Sequence, residues 1–159
     1  MEGKFINEAF VYWSTGNALE AGRLIYEQLP NNQRPLWAAK ILNLGRQLIP
    51  TVSEIDTVYK IALNRSRWRE AHSAFSRVRE LTLAFEKSNS QDFIYGGVLY
   101  LAENTAKVSY NASENPAPFD YDSGWWIVSN LRFLVEKVGD SDFESKAWSM
   151  AGYGEKLEI

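Results

Sequence analysis

The chain has 159 residues and no cysteine. Disulfides, thiolate zinc sites, iron–sulfur clusters and cysteine nucleophiles are therefore excluded together. Histidine is almost as scarce, since His72 stands alone. No Gly-x-Ser-x-Gly elbow presents a nucleophilic serine to it, and no glutamate stands three residues before it, the spacing used in carboxylate-bridged metal helices. Glu70 is the nearest carboxylate in sequence, but on a helix the two side chains point about 200° apart. A phosphate-cradling glycine loop is missing too: Gly96-Gly97 falls inside a helical pattern instead of at a helix start. A metal ion or cofactor is not expected.

Positive charge in excess is also lacking. The 17 Lys and Arg are outnumbered by 20 Asp and Glu, giving a net charge of −3. Nothing in that balance attracts nucleic acid or an anionic membrane. The longest strongly apolar run, FIYGGVLYLA at positions 93–102, is too short to cross a bilayer. The opening MEGKFINEAFVYW has an early acidic residue and an apolar run broken by Asn7 and Glu8, so a signal peptide is not expected. The expected location is cytoplasmic, where the sequons at Asn64 and Asn111 carry no meaning.

What the sequence does have is aromatic volume, 14% of residues with six tryptophans, and helical periodicity almost throughout. Phe5, Ala9, Tyr12 and Trp13 share one face before the break at Ser14-Thr15-Gly16. Leu19, Gly22, Ile25, Tyr26 and Leu29 share another, ending at Pro30. Pro35 sits where the first turn of a helix tolerates proline, and Leu36, Ala39, Leu42, Gly45 and Ile49 follow. Thr51 or Ser53 is the expected cap of the next helix, whose inner face is Ile55, Val58, Tyr59, Ala62 and Leu63. Trp68, Ala71, Phe75, Val78, Thr82 and Phe85 recur at offsets of three and four, the clearest burial seam in the chain. A helix over about 91–110 tolerates Gly96-Gly97 only if a neighbouring helix comes close there, because each glycine costs roughly 1 kcal/mol of propensity. Helices over about 124–138 and 140–151 follow, the last with Ser141 and Glu144 at capping-box spacing. The stretch GNALEAGRLIYEQLP resembles the second half of a tetratricopeptide helix pair, but no copy follows at the period of about 34 residues. It is read as ordinary helix-hairpin grammar, and no family is assigned. The expected fold is all-α, a single compact domain over residues 1–159 with seven or eight helices, as a bundle or a short stack of hairpins.

Two stretches are candidates for function. The first is NPAPFDYDSGWW. Asp120, Asp122 and Gly124 match a calcium loop poorly, because positions five, six and twelve of that loop are wrong. The favoured reading is a stiff connector in which Asp122 or Ser123 caps the next helix and Phe119 packs on Trp126 across the helix start. The alternative is a pocket walled by Asp120, Tyr121, Asp122 and Trp125. The second candidate is the basic run RSRWREAH and its continuation. On one helix, Arg65, Arg69, His72 and Arg79 fall on one strip, suited to a phosphate or carboxylate. The competing reading is a solvated or internally paired face. Charge is uneven along the chain: up to residue 90 there are 12 basic against 9 acidic side chains, and beyond it 5 against 11. That asymmetry suits either an acidic C-terminal part packed on the basic helix or docking of a charged protein.

The catalytic vocabulary is thin, so the expected function is a non-enzymatic protein–protein interaction module, adaptor-, immunity- or inhibitor-like by analogy of size and charge alone. Its partner is then a protein, charged or not, with self-association left open. The alternatives are a small-molecule or anion binder using either candidate stretch, and an enzyme with an unrecognised site.

Overall fold

The computed structural model describes residues 2–113, 119 and 122–152, with side chains from Asn7 onward. Among the described residues there are eight α-helices and no strand: α1 (Glu2–Ser14), α2 (Ala18–Gln28), α3 (Arg34–Arg46), α4 (Ser53–Leu63), α5 (Trp68–Ser88), α6 (Phe93–Ala112), α7 (Ser123–Val138) and α8 (Ser141–Ala151). The all-α expectation holds. None of the described helices is long and apolar enough to cross a membrane.

Local chemistry sets several of these ends as expected. The Asn17 side chain accepts from the Glu20 N–H at 3.4 Å and opens α2. The residues NNQ after Pro30 form a 3-10 turn, and Pro35 occupies the first turn of α3. Two other ends differ. Helix α4 begins after extended Val52 with no side-chain cap, because Ser53 already lies inside the helix and its hydroxyl turns to the Glu54 carboxylate. Asp140, not Ser141, caps α8 by accepting from the Asp142 N–H at 2.9 Å. Glu144 is unavailable for a capping box, since it pairs with Arg132 at 3.2 Å.

Helices α3, α6 and α7 touch one another and form the centre. Helices α4 and α5 cover one side of it; α2, backed by α1, and α8 cover the other. Being covered on several sides, α6 buries most of its length. The largest fully buried side chains, among them Trp37, Ile41, Leu99 and Leu131, come mainly from this central set. Each contributes about 1.5–3 kcal/mol over an exposed counterpart. Trp37 satisfies its indole N–H by donating to the Ala151 carbonyl at 3.1 Å, which ties α3 to the end of α8.

Glycine permits the close approaches. A Cβ on Gly96 would collide with the Phe85 ring of α5, and one on Gly97 would lie 2.8 Å from Leu134 Cδ2 of α7. The expected close neighbours of Gly96-Gly97 are therefore both present, one on each side. At Gly22 the obstacle is main chain: its Cβ would stand 3.0 Å from the Trp125 carbonyl carbon and closer still to the oxygen. Gly22→Ala should therefore destabilise by about 1–3 kcal/mol, despite the roughly 1 kcal/mol gain in helix propensity that alanine brings. Urea denaturation measures this, and an unchanged midpoint would refute the α2–α7 backbone contact.

Candidate functional site

The basic strip does not assemble. Arg65 lies in the turn before α5 in the left-handed region, at φ 52°, so it does not share the helix with the other three. Arg69 is exposed and its guanidinium carbon sits 5.3 Å from the Trp68 ring. His72 stacks on Phe119, with centroids 6.0 Å apart and planes 7° from parallel, and lies 5.7 Å from Tyr110. Arg79 reaches across to α6, where its Nη1 donates to Glu103 Oε1 at 3.1 Å. That carboxylate is buried, so the ion pair consumes the charge of Arg79 and strengthens its basicity. The acidic C-terminal part does pack on the basic helix at this point.

The aspartate stretch divides as well. Asp120 and Tyr121 lie outside the described residues. Asp122 holds the N-cap position of α7, but its Oδ2 accepts from the Trp126 indole N–H at 3.2 Å and caps no main-chain group. Trp125 is half-buried, with its main chain against Gly22 of α2. The expected Phe119–Trp126 staple is not formed. Phe119 instead joins Tyr110 and Phe75, at 4.6 and 4.8 Å, and its N–H donates to Asn111 Oδ1 at 2.7 Å. Trp126 turns outward. Among the described residues no three metal-ligating side chains lie close enough to share an ion.

Two clefts remain. One, of about 250 Å³, lies at the α3–α4 turn. Its charges cancel: Arg46 pairs with Asp56 at 2.8 Å, donates to Asn43 at 2.8 Å, and covers the Tyr59 ring at 4.0 Å. The other, of about 280 Å³, runs between α5, α6 and α7 over Gly96 and Gly97, walled by Phe85, Phe93, Tyr100 and Phe133. Both are smaller than typical pockets for a small organic ligand, which run about 300–1,000 Å³. The Tyr100 hydroxyl donates to Glu86 at 2.6 Å, and that hydrogen bond, with burial, pushes its pKa up to about 12. A phenol held so far above neutrality is a poor proton donor or acceptor for catalysis.

The second cleft opens onto an aromatic surface that sequence reasoning missed. Phe93 is 41%, Trp126 43% and Phe133 36% exposed. The Lys137 ammonium lies 5.0 Å from the Phe93 ring and 5.4 Å from that of Phe133. Positions 126, 133 and 137 are spaced by seven and four, so they line one face of α7, while Phe93 faces them from the start of α6. The periodicity alone carried this signal, as apolar side chains outside the buried set of α7. A second run of exposed apolar residues, Phe10-Val11-Tyr12 in α1, points three ways at about 100° per residue and makes no single patch.

Two outcomes follow from these contacts. Arg79→Ala should cost about 1–3 kcal/mol by stranding the buried Glu103 carboxylate, adding Glu103→Gln should recover part of the loss, and Arg69→Ala should leave the melting temperature nearly unchanged. Equal effects of the two arginine changes would show that the Glu103 pair is not structural. For Tyr100 the raised value means that protonation favours the folded state. Its contribution is complete below the ordinary tyrosine value near pH 10 and is lost as pH rises toward about 12. Alkaline destabilisation should be smaller in Tyr100→Phe; an identical pH profile from denaturant titrations would contradict this.

Comparison with models of known protein families, with curated proteins and with solved structures gives no match to this chain.

Proposed function

We propose that this chain is a non-enzymatic protein-binding module, adaptor-, immunity- or inhibitor-like in manner, and that the α6–α7 face is its partner-facing surface. One observation carries the reading: the exposed Phe93 and Phe133 line an apolar groove, and Trp126 stands exposed two turns further along the same face of α7. Aromatic side chains are the most frequent energetic anchors of protein interfaces, and they concentrate in patches fringed by polar groups. Lys137 and Asp122 supply such a fringe here. The anion-binding alternative loses support because Arg79 is committed to Glu103 and Arg65 is off the helix.

Phe133→Ala should weaken capture of a partner about 30-fold or more, the effect of losing a hot-spot residue. The melting temperature should change little. Val11→Ala, at an exposed position on α1, should leave capture unaffected. The measurement is quantitative affinity purification from the native host with wild type and both variants. Any captured protein is then purified and titrated as a binary complex. Equal capture by wild type and Phe133→Ala would remove the α6–α7 face from consideration.

A further inference from the structure

We infer that the outer face of α7 is self-complementary and that its occupant is a second copy of this chain, packed antiparallel. The inference rests on the reading that the α6–α7 face binds protein, and it names the partner.

Asp122, Trp126, Phe133 and Lys137 follow one another at offsets of four, seven and four. At about 100° per residue they stay within a strip roughly 60° wide. Along that strip the chemistry runs anion, aromatic, aromatic, cation. Read backwards, it is the same sequence with the charges exchanged. A two-fold axis crossing α7 between Ser129 and Asn130 would therefore set Asp122 against Lys137 of the second copy and Trp126 against Phe133. An isologous interface needs this property, since each residue's partner must also be found on the same patch. A foreign partner would impose no such symmetry.

Each end of the strip is already arranged. The Asp122 carboxylate is held beside Trp126 by the indole hydrogen bond at 3.2 Å, and the Lys137 ammonium rests 5.4 Å from the Phe133 ring. Charge and ring thus arrive at the contact as a unit, with opposite sign at opposite ends. Phe93, against the same ammonium at 5.0 Å, widens the contact from α6. A helix of 16 residues is about 24 Å long, so one helix pair with this flank falls at the small end of specific interfaces. The dimer should accordingly be weak, with a dissociation constant of about 1–100 µM.

Sedimentation equilibrium over about 1–500 µM spans that range. The wild type should move from the 18.2 kDa monomer to twice that mass as concentration rises. Asp122→Lys and Lys137→Asp should each weaken the dimer at least tenfold by setting like charges together. Mixed in equal amounts, the two variants should recover a 1:1 complex, because each then meets the opposite charge at both ends. Asp122 stands at a helix start, so circular dichroism must show both variants folded. Trp126→Ala, which leaves both charges in place, should weaken the dimer as well. A wild type that remains monomeric throughout overturns the inference. So does a dimer that neither charge change weakens, or a mixture that recovers nothing. If the wild type is monomeric while Phe133→Ala still loses a captured protein, only the second copy is refuted and the protein-binding reading stands. If Phe133→Ala loses nothing and no dimer forms, both fall.

Discussion

Close approach around α6 is the constraint on which the rest of the structure depends. A helix with neighbours on several sides cannot present large side chains everywhere, because interhelical spacing of about 8–10 Å leaves no room for them. Gly96 yields its space to the Phe85 ring and Gly97 to Leu134. The same economy operates between α2 and α7, where Gly22 lies against the Trp125 main chain and Gly124 under the Tyr26 ring. Bulk displaced from these glycine floors appears on the facing helices. Phe85 and Phe133 stand over the floor as walls, and the groove between them follows from that geometry. The candidate surface is thus a consequence of how the core closes.

Polar groups divide between holding helices together and fringing that surface. Arg79 reaches the buried Glu103, Arg132 reaches Glu144, and Arg46 reaches Asp56, each joining two helices. Breaking a pair with one buried partner costs more than an exposed pair contributes, because the stranded charge stays desolvated. Arginines used this way are unavailable to a ligand. Asp122 and Lys137 are different: each lies beside an exposed aromatic of α7. Charge arranged so favours orientation and register in binding over raw affinity, which is the role the α7 strip would need.

Much of the fold was legible from residue order. The spacing of seven and four between Ala71, Val78 and Thr82 led directly to the buried face of α5, with Trp68, Phe75 and Phe85 along its half-buried margin. Gly96-Gly97 announced close neighbours without saying which. Caps were less legible at α4 and α8, because several adjacent polar residues were chemically capable and a shift of one position decided between them. Site residues were the least legible. Arg65 and Arg79 belong to one strip only if a single helix continues through both, and the turn at Arg65 ends that possibility.

Periodicity, composition and missing residue types determined by themselves that this chain builds helices, where most of them run, and that cysteine and histidine-cluster chemistry is closed to it. These are short-range properties: helical propensity, capping and the phase of apolar residues act over a few positions. Only the tertiary structure decided that Arg79 is spent on Glu103, that Phe119 packs with Tyr110, and that Phe93 and Phe133 line one groove from two helices. Those pairings depend on interhelical distances set by glycine contacts far apart in sequence. A helical period specifies which face of a helix is apolar, but not which neighbour covers it or whether any does.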